Sequence, residues 1–92
     1  MKKINNYING KKIESSSEEY SAVYDPSTGE EINKVNLSNK IDLDDAIKIS
    51  KESFIEWSNT TPLKRSRILS KYKNLIEQNI DDLAEMVSRE HG

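Results

Sequence analysis

The sequence predicts an α+β chain, with strands over residues 1–37 and three amphipathic helices over residues 38–92. Three observations carry this. Asn9-Gly10 lies between two short runs of strand-forming residues, and both residues accept the positive φ that a type I′ hairpin turn needs. Asp25-Pro26-Ser27-Thr28-Gly29 separates two further runs rich in β-formers. From Asn39 onward the apolar residues recur with a period near 3.6.

The first element is a small ribbon over residues 7–13, Tyr7-Ile8 leading into the turn and Lys11-Lys12-Ile13 leaving it. A lone two-stranded hairpin is marginal in water, so it needs something to pack on. Ser15 to Glu19 is a polar connector. Tyr20-Ser21-Ala22-Val23-Tyr24 reads as a strand, ended by a turn in which Pro26 sets φ and Gly29 takes φ > 0. Residues 31–37 resume an extended pattern whose imperfect alternation fits edge strands. No reciprocal partner for these strands is recognisable.

The first helix is expected near 40–58. Asn39 is its N-cap, Asp42, Asp44 and Asp45 lie near the positive end of its dipole, and Leu43, Ala46, Ile47, Phe54 and Trp57 form its stripe. Thr61-Pro62 starts a second helix near 62–78, because proline at the first helical position loses only an N–H that has no partner anyway. Its stripe is Ile68, Leu69, Tyr72, Leu75 and Ile76. Asn79 caps a third, near 80–91, with Ile80, Leu83, Ala84 and Val87 inward. Arg89 and His91 suit its C-terminal end and Gly92 its termination.

These stripes supply about fifteen large apolar side chains and the strands about six more, a core so small that burial and conformational entropy nearly cancel. Apolar residues make up 34% of the 92 and charged residues 33%, against a usual apolar share of about 45–50%. Mean hydropathy is −0.83. The segment is therefore expected to pack on something larger, and alone to expose an apolar patch with Trp57 in it or at its edge.

Composition excludes several classes of chemistry. Without cysteine there is no disulfide, no thiolate metal site and no cysteine nucleophile. No apolar run approaches the ~18 residues of a membrane span, and Met1 to Asn6 lacks the apolar stretch of a secretory signal, so a cytoplasmic location is expected. Net charge is −2, which argues against nucleic acid as a partner. The charge is uneven: Lys64, Arg65, Arg67, Lys71 and Lys73 form a basic block, and Glu77, Asp81, Asp82, Glu85 and Glu90 an acidic one. Solvated helix faces explain most of this. Lys64 and Arg65, however, sit in a first turn where the dipole disfavours cations, which points to acids in a larger fold.

No catalytic, cofactor-binding or metal-binding constellation is expected. His91 is the only histidine and reads as a helix-end cation. Asp42, Asp44, Asp45 and Glu52 read as a solvated helix face, and Ser15-Ser16-Ser17 as a loop. Trp57 reads as core or interface. With three glycines in all, there is neither G-x-G-x-x-G nor G-x-x-x-x-G-K-[ST].

Four stretches carry a family resemblance: "YINGKKIESSS" (7–17), "VYDPSTGEEINKV" (23–35), "DLDDAIKISKESFIEWSNTTPLKRSRIL" (42–69) and "LAEMVSREHG" (83–92). In this order they resemble the N-terminal region of the NAD(P)-dependent aldehyde dehydrogenase superfamily. "WSNTTPLKRSRIL" and "SREHG" look most like its CoA-acylating methylmalonate-semialdehyde (malonate-semialdehyde) branch. The resemblance implies that residues 1–92 are an incomplete domain, the flanking part of a Rossmann-like cofactor domain. The partner of the hairpin then lies in the remainder of a dehydrogenase chain beyond Gly92. For the whole enzyme it implies oxidation of the semialdehyde to an acyl-CoA with NAD and CoA, by way of a cysteine thioester, in a homo-oligomer, a tetramer. No family site motif falls on this sequence, so the fragment alone is expected to be inactive and to bind neither NAD nor CoA. The alternative is a stand-alone interaction module derived from the dehydrogenase N-terminus.

Overall fold

The structure is a computed structural model that describes residues 2–92. Strand β1 spans Lys2–Ile4, β2 Asn6–Ile8, β3 Lys11–Ile13, β4 Tyr20–Tyr24 and β5 Glu31–Asn36. Helix α1 spans Lys40–Asn59, α2 Pro62–Gln78 and α3 Ile80–His91. The expected strands and all three helices are present, and no strand falls within 43–57 or 64–76.

The hairpin forms as its turn dictates. Asn9 (φ 55) and Gly10 (φ 74) both occupy the left-handed region, and Tyr7 pairs with Lys12 across the ribbon. Asp25 organises the second turn: its carbonyl accepts from Thr28 and Gly29 N–H (3.3 and 2.7 Å), and its own N–H donates to Glu30 O (2.9 Å). Gly29, at φ 75, completes the reversal.

Two expectations about the strands are corrected. Residues 31–36 form the central strand of a three-stranded sheet ordered β1-β5-β4. The weak alternation comes from a register shift between Val23 and Tyr24, after which Tyr24 faces Glu31 and Ile32 is passed over. Nor are the strands without partners. β4 runs antiparallel to β5, and Lys2–Ile4 adds a parallel strand with Lys2 opposite Asn33 and Ile4 opposite Val35. After Asn5 the chain leaves this sheet and enters the hairpin, which stays two-stranded.

The helix starts follow the sequence closely. Asn39 and Asp42 close a reciprocal capping box: Asp42 N–H donates to Asn39 Oδ1 (3.1 Å) and Asn39 N–H to Asp42 Oδ2 (3.0 Å). Thr61 Oγ1 accepts from Lys64 N–H (3.3 Å), with Pro62 at the first helical position. Asn79 is the exception. It precedes α3, but its side chain turns back and donates to Leu75 O (2.8 Å), finishing α2; Asp81 and Asp82 supply the favourable charge at the start of α3.

No apolar side chain is buried among the described residues, and the buried residue is Asn36, 7% exposed. The reason is geometric. The molecule measures 47 × 34 × 16 Å, so it is little thicker than one helix, about 10–12 Å across. A core needs two packed layers, and this is close to one. The radius of gyration is 16.9 Å, where a compact chain of this length has about 12 Å. Its surface is 7863 Å², roughly 2,400 Å² more than the about 5,500 Å² of a folded monomer of this mass.

Candidate functional site

The uncovered face is the feature that distinguishes this molecule. On α1, Phe54 and Ile55 are each 65% exposed; on α2, Leu69 and Tyr72 are exposed; on α3, Met86 and Val87. Trp57, 39% exposed, lies beside a groove that α1 shares with the hairpin tip, where Tyr7, Ile8 and Asn9 face Ala46, Ile49 and Phe54. Trp57 and stripe residues of all three helices are thus individually exposed. A second cleft, of ≈ 620 Å³, runs between α3 (Met86, Arg89, Glu90) and the N-terminal strands (Lys2 to Asn5, Lys12 to Glu14).

Polar side chains act structurally where the structure brings them together. Ser15 Oγ donates to Asp42 Oδ2 and accepts from Ser17 N–H (3.0 Å), and Ser16 Oγ accepts from Asn39 Nδ2 (2.7 Å). The serine run, read as a loop, thus also clasps the first turn of α1. Nothing in its sequence signalled this, because the partners lie more than twenty residues away. Asn36 Nδ2 donates to Ser17 O (3.0 Å) and Glu19 O (3.4 Å), tying the same connector to β5. Asp44 pairs with Lys40 (3.0 Å) on the α1 surface. His91 is exposed in the last turn of α3. Among the described residues, no group of three or more His, Cys, Asp or Glu could hold a metal ion, and no helix is long and apolar enough to cross a membrane.

Asp25 has a shifted acidity. The Ser27 hydroxyl (2.6 Å) and the Ser27 N–H (2.9 Å) both donate to its Oδ1 and hold the carboxyl below its usual range. Its role is to stiffen a turn.

The basic block of α2 is almost unpaired. Among the described residues it makes one ion pair, Lys73 to Glu77 at 3.8 Å. Lys64, Arg67 and Lys71 are exposed, and Arg65 is half-buried.

None of the three helix starts is preceded by the glycine-rich turn commonly used by a dinucleotide. Its pyrophosphate needs free backbone N–H groups at a helix start, commonly behind a glycine-rich turn. The start of α1 is closed by its own Asp42, and that of α3 carries Asp81 and Asp82. That of α2 follows Thr60-Thr61-Pro62, with Thr61 already bonded to Lys64 N–H.

A three-stranded mixed sheet, a separate two-stranded hairpin and three helices with exposed apolar residues make a mixed α/β arrangement with no buried apolar core among the described residues. The aldehyde dehydrogenase family profile matches residues 12–92, and the chain belongs to that family. It is 45% identical over 89 residues to malonate-semialdehyde dehydrogenase 3 of Bacillus cereus, covering 97% of this chain and 18% of that one. It is 41% identical to a Dictyostelium discoideum protein described as an acylating, mitochondrial methylmalonate-semialdehyde/malonate-semialdehyde dehydrogenase, covering 94% and 16%. The fold superposes on a protein of Sinorhizobium meliloti 1021, described as a methylmalonate-semialdehyde dehydrogenase and solved with NAD, with a TM-score of 0.94 at 36% identity. That match covers 98% of this chain and 18% of the other. The chain thus spans less than a fifth of the length of these relatives.

Proposed function

We propose that residues 1–92 act as the N-terminal portion of a malonate- or methylmalonate-semialdehyde dehydrogenase that uses NAD and CoA. In this reading residues 1–37 supply strands and 38–92 helices to an incomplete domain. The catalytic, cofactor and CoA sites lie in the rest of a dehydrogenase chain, which is the partner of the uncovered face. The assembled enzyme is a cytoplasmic homo-oligomer, a tetramer. One observation carries the reading: a backbone that superposes at a TM-score of 0.94 on a relative of which it covers 18%, while burying no apolar side chain of its own among the described residues. The chain is shaped for a covering that it does not itself contain.

The test is to replace the matched N-terminal residues of the Bacillus cereus enzyme with this chain. The fused enzyme is expected to form NADH from malonate semialdehyde with NAD and CoA. The isolated 92-residue chain is expected to form none. NADH production by the isolated chain, or a folded fusion without activity, would overturn the reading.

A further inference from the structure

We propose that the first half of α2 is an electrostatic docking element, in which Lys64, Arg67 and Lys71 seat the chain on an acidic surface of the dehydrogenase polypeptide that covers its apolar face. This rests on the reading above and adds the chemistry of the partner surface.

The helix α2 has its charge arranged against its own stability. It carries five cations and a single carboxylate, Glu77, with no acid in its first turn. The other two helices have acids in their first turns: Asp42 opens α1, and Asp81 and Asp82 open α3, which also ends on Arg89 and His91. Lys64 is the sharpest departure. It sits three residues after the Thr61 cap, the position where a glutamate would close a capping box of the kind Asn39 and Asp42 form. A locally unfavourable choice with no gain inside the chain marks a place where function governs the residue.

Position says what that function is. Lys64, Arg67 and Lys71 are spaced i, i+3, i+7 and form one exposed ridge. Lys64 stands one turn before Ile68, and Lys71 one turn before Leu75, so the ridge borders the uncovered apolar stripe. None of the three has an acidic partner within 4.0 Å among the described residues. Covering the stripe draws these cations toward a drier boundary, which is favourable only if carboxylates meet them there. The length and area of the occupant are consistent. Relatives carry more than four-fifths of their length outside the matched region, and the surplus surface of roughly 2,400 Å² is about three times the ~800 Å² that each partner contributes to a standard interface.

The experiment compares one charge reversal, K64E/R67E/K71E, in two settings. In the free chain it completes the Thr61 capping box and aligns charge with the dipole, so circular dichroism is expected to show more helix. In the fused Bacillus cereus enzyme it places acids against acids, and Tm is expected to fall by roughly 2–4 °C or more, with the fall shrinking as salt is raised. The charge-neutral variant K64Q/R67Q/K71Q is expected to fall between wild type and the reversal. A fused enzyme that is active with the wild-type segment, but whose Tm is unchanged or raised by the reversal, would make the ridge a solvated face and overturn the proposal while sparing the reading of the chain. A wild-type fusion that fails to assemble would overturn both.

Discussion

Asp25 and Asn36 show what single side chains do in a molecule without a core. The Asp25 carboxylate accepts two hydrogen bonds from Ser27, and its pKa is lowered mainly by the Ser27 hydroxyl. A depressed carboxyl contributes stability that is present above its unfolded pKa and lost as pH falls through the folded one. The turn between β4 and β5 should therefore loosen only below the ordinary carboxylate pKa of 3.8. S27A is expected to bring the Asp25 midpoint back up toward that value, read by NMR titration of its carboxyl carbon; an unmoved midpoint would assign the shift to another cause. Asn36 is buried, and its amide holds the carbonyls of Ser17 and Glu19. N36A should leave Ser17 O, which is half-buried, without that partner, at about 1 kcal/mol for a typical hydrogen bond. The expected readout is faster hydrogen exchange at Leu37 N–H, which donates to Glu19 O, with α3 amides unaffected.

At the scale of the element, α1 and α2 are started by side-chain caps, and α2 is finished by the residue that precedes α3. N39A removes the acceptor for Asp42 N–H and its hold on Ser16; the expected cost is about 1 kcal/mol of α1 stability, seen as lost helical signal. N79A separates position from function. Its side chain bonds Leu75 O rather than any α3 amide, so exchange should accelerate at the end of α2 and stay unchanged in the first turn of α3. Protection lost in α3 instead would contradict the geometry. These elements were legible because their signals are local: a positive-φ pair at Asn9-Gly10, a threonine before Pro62, a stripe from Ile68 to Ile76. The parallel strand at Lys2–Ile4 was not. Two lysines carry no strand signal, and their partners, Asn33 and Lys34, lie some thirty residues along the chain. The serine clasp on Asp42 escaped for the same reason.

The whole molecule is a slab 16 Å thick whose described apolar side chains all keep contact with water. At roughly 25 cal/mol per Å² of apolar surface, covering it is the largest stabilisation still open to the chain. The free chain is expected to unfold over a broad range without a sharp transition, and its sedimenting mass should rise with concentration as the faces cover one another. A cooperative monomeric transition above ~60 °C with blue-shifted Trp57 emission would show a self-sufficient domain. The sequence by itself determined the elements, their caps and turns, the shortage of core and the kinship with aldehyde dehydrogenases, because each is written in residues close together or in composition. Only the tertiary structure decided that residues 31–36 are central, that Asn79 serves α2, and that Lys2–Ile4 joins the sheet. Strand order, the direction of a side chain and burial depend on surfaces that meet across the chain, between residues far apart in sequence.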